Sequence, residues 1–157
     1  MEVRQFEMPD GSNIWIPMYG EEWKLVKTIT IDEPVTSVKF NTGDDGNPFE
    51  VEEVFVYGKN VKTDSATQCF LLFNQGYCPS LNNFFNTTAK SFFIYSSWKG
   101  VRFTEALSQT YDLTTTAQSG VSSQITTADN VQKITALGIK TQNTQQFTSG
   151  TMYFYAR

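Results

Sequence analysis

Three carboxylates, Glu50, Glu52 and Glu53, crowd one short stretch, and Asp44 and Asp45 stand just upstream. Two carboxyl groups facing each other across a cleft are what glycoside hydrolysis requires. With Glu50 and Glu52 on one strand face, and Asp44 as a further candidate, a glycan-active enzyme is the one catalytic reading these residues offer. The simpler reading is charge on the solvated face of an antiparallel sheet. Asp44 and Asp45, beside Gly46 and Asn47, could hold calcium together with backbone carbonyls. Their spacing matches no calcium loop and fits a hairpin turn better. The chain contains no histidine. That removes the commonest general base, the Ser-His and Cys-His nucleophile systems and the usual zinc ligands. No phosphate-binding glycine loop occurs. The expectation is a protein that is not an enzyme, with no catalytic residues, no metal and no cofactor.

Aromatic side chains near turns are the stronger candidates. Trp15, Trp23, Tyr77, Trp98 and Tyr111 each join an apolar ring to a polar tip, and Tyr19 is of the same kind. A sugar ring has an apolar face that stacks on such rings, while neighbouring Asn or Gln amides bind its hydroxyls. These five are the candidate ligand-binding residues, with core packing as the competing role of each. Phe70, Phe73, Phe92 and Phe154 read as core. Asn86-Thr87-Thr88 matches an N-glycosylation acceptor, which matters only in a eukaryotic secretory setting. Cys69 sits in an apolar run as a buried thiol, and Cys78 in a turn-like stretch. A bridge between them requires an oxidising compartment.

The elements that must position these residues are strands. Aromatics are abundant and charged residues scarce, at 18% against the usual quarter, with Thr, Ser, Asn and Gln supplying the polarity. A length of 157 residues suits one domain. The net charge of −4 and a pI near 4.8 argue against nucleic acid and against anionic membranes. No apolar run reaches transmembrane length. Met1 to Asp10 is too charged for a signal peptide, which places synthesis in the cytoplasm unless a signal has been removed.

Along the chain, residues 1–20 read as a lead-in arm, with turn chemistry at Pro9-Asp10-Gly11-Ser12, and 21–157 as the domain proper. Strands are expected at Trp23–Ile31, Val35–Phe40, Phe49–Gly58, Ala66–Phe73, Ala89–Trp98, Val101–Tyr111, Val131–Thr141 and Phe147–Tyr155. Val51, Val54 and Val56 cannot share one face, which calls for a bulge or a stretch buried on both sides. Leu81–Asn86 has room for a short helical turn, Leu113–Asp129 reads as a polar loop or weak edge strand, and Ser149-Gly150 reads as a turn. About eight short strands with Gly, Asn and Pro turns predict an all-β, two-sheet antiparallel β-sandwich, jelly-roll-like.

Two stretches carry a resemblance. One runs from Trp23-Lys24-Leu25 through Ile29-Thr30-Ile31 and Val35 to Phe40, then Asp44 to Phe49 and Val54-Phe55-Val56-Tyr57. The other is Lys133 to Ile139, then Phe147-Thr148-Ser149-Gly150-Thr151 and Tyr153-Phe154-Tyr155. Their order resembles β-sandwich modules of bacteriophage and prophage tail-tip, baseplate and receptor-binding proteins. Gly58 to Asp129 is unmatched. The resemblance implies a jelly-roll fold, assembly into a virion and often binding to host cell-wall saccharide; it brings no catalytic motif. The expected function is a non-catalytic, tail-associated module of the virion, made in the bacterial cytoplasm, that binds host-surface carbohydrate. Its partners are a host cell-surface saccharide, other virion proteins and a second copy in a homo-oligomer. The alternative is a purely structural virion protein of the head or tail that uses its aromatics for subunit assembly.

Overall fold

A computed structural model describes residues 3–17, 22–74, 76–101, 103–112, 118–123 and 133–157. The described residues form strands and no helix, so none is long and apolar enough to cross a membrane. A hairpin, β1 (Val3–Glu7) with β2 (Asn13–Pro17), comes first. Then follow β3 (Lys24–Thr30), β4 (Ser37–Phe40), β5 (Glu53–Thr63), β6 (Thr67–Phe73), β7 (Gly76–Phe85), β8 (Lys90–Val101), β9 (Phe103–Asp112), β10 (Gln118–Ser123), β11 (Leu137–Thr141) and β12 (Phe147–Ala156).

Two antiparallel sheets face each other, as the sequence pattern predicts. One is six-stranded, in the order β10-β9-β8-β5-β12-β3; the other is four-stranded, β4-β11-β6-β7. Eight of these strands pair as a nest: β6 with β7 innermost, then β5 with β8, β4 with β11, and β3 with β12 outermost. Period-two burial drives the arrangement, because alternate side chains of a strand point to opposite faces. On β6, Thr67, Cys69, Leu71 and Phe73 are buried and the residues between them half-buried. Leu71 and Phe73 meet Val54, Val56, Phe92, Phe154, Leu137 and Ile139 in the layer between the sheets. Burial pushes the Cys69 thiol pKa up, so this cysteine is a poor nucleophile.

β5 is buried on both faces, which resolves the valine pattern. Val54 and Val56 face the inner core. Val51 precedes the strand and makes an isolated bridge to Ile134. The intervening Phe55 and Tyr57 belong to a second cluster with Met8, Trp23, Phe93 and Tyr155. Phe6 packs against this cluster, so the hairpin of the lead-in covers the outer face of the six-stranded sheet. Among the described residues its contacts with that sheet are through side chains, since the hairpin forms a separate two-stranded sheet. Its turn closes with Met8 N donating to Ser12 O at 2.7 Å and Gly11 N to Met8 O at 2.9 Å, with Gly11 at φ +79°. That is a type I turn followed by a left-handed residue, the commonest three-residue hairpin loop.

Several expected boundaries differ. Residues 76–85 are strand β7 and not a helical turn, because Phe85 is needed in the inner core. Ser149-Gly150 is no turn: β12 runs through it, and the pairing with β5 shifts register on both sides of Ser149. Gly150 takes φ +116° there, the bulge geometry that glycine permits. The strand expected to end at Trp98 runs on, since β8 continues to Val101 and pairs Gly100 with Thr104. Part of the polar stretch 113–129 is edge strand β10, and 113–117 and 124–129 lie outside the described residues.

Candidate functional site

The segment between β4 and β5 lines two depressions. Its sequence, Gly43-Asp44-Asp45-Gly46-Asn47, dictates a turn. Gly43 N donates to Asn47 O at 2.8 Å and Gly46 N to Gly43 O at 3.0 Å, with Gly46 at φ +79°. This repeats the backbone of the Met8–Ser12 turn. Asp45 accepts Asn47 N at 2.9 Å, and the backbone N–H and side chain of Asn47 hold the Asp45 carboxyl below its usual pKa. Asp44 reaches back to the sheet edge: its Oδ2 accepts Thr28 N at 2.8 Å, its own N donates to Val26 O at 2.8 Å, and Lys27 lies 3.2 Å from its Oδ1. The two aspartates are therefore turn and edge-capping residues.

Beyond the turn, Pro48, Phe49 and Glu50 form a ridge with a depression on each side. The larger, about 880 Å³, has Phe40 and Phe49 on its walls beside Lys39, Asn41, Thr42 and Thr135. The Phe40 and Phe49 ring centroids are 5.7 Å apart, and Phe40 stands edge-on at 4.9 Å from the core ring of Phe154. Both phenylalanines are half-buried, each with one side anchored and one side toward the groove. The smaller depression, about 350 Å³, lies between the ridge and edge strand β3, where Leu25, Glu22 and Lys24 line it. Both volumes fall in the range of small-molecule sites, roughly 300–1,000 Å³.

Asn74 fixes the floor of the larger groove. At φ +50° it makes a left-handed turn after β6. Its Oδ1 accepts Thr135 N at 2.8 Å and Ala136 N at 3.0 Å, and its Nδ2 donates to Lys133 O at 3.0 Å. Lys39 donates to the Asn74 carbonyl. With its amide so committed, Asn74 pins residues 133–136 against β6 and is a positioning residue.

Of the sequence candidates, Trp23 is placed otherwise than expected. It is 6% exposed, its ring 4.8 Å from Phe55 and under the Arg157 guanidinium at 4.5 Å. The outer face of the sheet is a second core, and Trp23 belongs to it rather than to a ligand. Trp15, Tyr77, Trp98 and Tyr111 lie on β2, β7, β8 and β9, and their side chains lie outside the described residues; so does Tyr19. The side chain of Cys78 is outside them too, which leaves the pairing of Cys69 with Cys78 undescribed.

The carboxylates do not share a strand face, because β5 begins at Glu53. Glu50 is exposed on the ridge and Glu52 is exposed, 3.8 Å from Lys133. Glu53 accepts the Tyr95 hydroxyl at 2.7 Å and binds Arg157, bracing the second core. Asn86 is half-buried, its Oδ1 accepting Thr88 N at 2.7 Å in a local turn. Sequence reasoning missed Phe40 and Phe49. The available signal was two phenylalanines flanking a predicted hairpin turn with amide neighbours. No protein-family model, curated protein or solved structure matches this chain.

Proposed function

We propose that this chain is a non-catalytic module that binds host-surface saccharide, carried on a phage or prophage tail. The groove at Phe40 and Phe49 is the observation that carries the reading: phenyl faces lie beside an amide, hydroxyls and a carboxylate. Those are the groups that stack on a sugar's apolar face and bond its hydroxyls. The nested strand order supports a jelly roll, an architecture that lectin and viral capsid domains share. The tail assignment rests on the resemblance at the two ends of the sandwich. Engagement of Glu53 by Tyr95 and Arg157 supports the non-catalytic part, since it takes one carboxylate out of play. Single sites of this kind are weak, and display of many copies raises avidity by about 10²–10⁴.

An array of bacterial surface glycans tests the proposal. Retention of one saccharide class is expected, with Phe49→Ala lowering affinity by about tenfold, the equivalent of one stacking contact. An array without hits, or hits indifferent to Phe49→Ala, would sink it. A second reading, a structural virion subunit, draws on the outer face of the four-stranded sheet. There Phe70 and Leu72 are half-buried, with the Lys140 ammonium 5.2 Å from the Phe70 ring. Under that reading the chain forms a closed oligomer that Phe70→Asp dissociates; a monomer at high concentration rejects it.

A further inference from the structure

We infer that the saccharide site has two halves, and that its ligand is an extended, uncharged glycan chain lying across the Pro48–Glu50 ridge. The inference rests on the saccharide reading above and deepens it. Pro48, Phe49 and Glu50 line both depressions, so a polymer leaving one passes directly over the ridge into the other. On the far side stands Leu25, 41% exposed, the exposed large apolar side chain among the described residues. It offers the smaller depression an apolar contact as Phe40 and Phe49 do for the larger.

The ridge is held in place before any ligand arrives. Asp44 joins the loop to β3 through Val26 O and Thr28 N, and the turn's own bonds close it. Gly43 lies so close to β3 that an added Cβ would stand 3.0 Å from Val26 O. Binding across a fixed ridge costs little ordering, which favours a long, shallow contact. Charge selects the ligand class. Lys39 and Glu50 both line the larger depression, and Lys24 and Arg157 line the smaller with Glu22, Asp45 and Glu50. Neither presents a field of one sign, so a polyanion has nothing to steer it, and a neutral hydroxyl-rich chain meets donors and acceptors throughout.

Two series of unbranched oligomers, of N-acetylglucosamine and of glucose, from two to six units, provide the test by calorimetric titration. In the series that binds, short members seat in the larger depression, and affinity rises about tenfold or more once the chain spans the ridge. Leu25→Ser removes that rise and leaves the short members unchanged; Asn41→Ala, in the larger depression, weakens all members. Thermal unfolding confirms that both variants are folded. Affinity independent of length, or Leu25→Ser without effect at every length, overturns the two-part site while saccharide binding stands. Failure of every oligomer in both series to bind overturns the extended uncharged chain, and the glycan array then decides whether saccharide binding stands.

Discussion

β5 is covered on both faces, and the two coverings are built differently. Toward the inside, Val54, Val56 and Val61 meet residues of the opposite sheet. The strands of that layer are threaded through both sheets, so no part can leave without unpairing its neighbours. Toward the outside, Phe55 and Tyr57 join Phe93, Tyr155 and Trp23 in an aromatic layer. Phe55 stacks on Tyr155 at 4.6 Å, and Phe6 meets Tyr155 edge-on at 5.1 Å. The cover there is a hairpin with no backbone ladder to either sheet, and an isolated hairpin is marginal in water. Among the described residues its anchors are Phe6, Met8 and a polar latch. Lys59 lies 2.8 Å from Asp10, which accepts Ser12 N at 2.9 Å, and Ser12 Oγ is 3.1 Å from the Tyr57 hydroxyl. Interlocked order makes the inner core all-or-none, whereas the outer core is a lid over a finished sheet.

The largest effect that separates them is Phe154→Ala. Phe154 is fully buried inside, and truncation costs about 3–5 kcal/mol, read as a lower urea midpoint in one cooperative transition. Met8→Asp places a charge under the hairpin, where Met8 is 2% exposed. A loss of about 2–3 kcal/mol is expected. The hairpin should lift, a dye specific for apolar surface should bind, and the sheet signal in circular dichroism should persist. The Tyr155 phenol, pushed up to about 12 chiefly by burial, should then titrate nearer its ordinary value. Global unfolding by Met8→Asp would show that the cores are not separable.

Asp10→Asn is the next largest. Burial alone would raise the Asp10 carboxyl, but hydrogen bonds from Lys59 and Ser12 outweigh it and hold the pKa at about 2. A folded pKa below the unfolded value means that the unfolded chain takes up the proton first. The stabilisation, about 2 kcal/mol, is therefore full above the ordinary carboxylate pKa and fades as pH falls toward 2. Acid titration should show Asp10→Asn less stable than the parent at pH 6 and level with it near pH 2; a constant gap would reject the latch. The smallest effect is Asp44→Ala, which frees Thr28 N at the β3 edge. It should cost about 1 kcal/mol and raise self-association in light scattering, because uncapped edges pair.

The inner core was largely legible in the sequence. Alternation at Ile29 and Ile31 gave the facing of the segment that holds β3, and the apolar, aromatic ends of β6 and β12 marked them as strands. Of the outer core only β5 was legible, where the valine spacing allowed a stretch buried on both sides; elsewhere alternation assigns the second face of a strand to solvent. Phe55, Tyr57 and Trp23 are buried by residues far away in sequence. The same limit hid the groove: Phe40 and Phe49 flank one turn, but their joint exposure depends on Asn74 clamping residues 133–136 beside them. Leu81–Asn86 read as room for a helical turn because Gly, Pro and Asn interrupt the stretch around it, and pairing with β6 overrides that propensity.

The outermost pair of the nest has a kinetic consequence. Lys24 is bonded in register to Ala156, and β12 lies between β3 and β5. A nascent chain that has emerged only through β11 therefore has an open slot in its larger sheet, with two unpaired strand borders facing it. Closure waits for β12, and contacts of such long sequence separation form slowly. Until then the growing polypeptide keeps two unpaired strand edges exposed, and completion of the sandwich waits for β12.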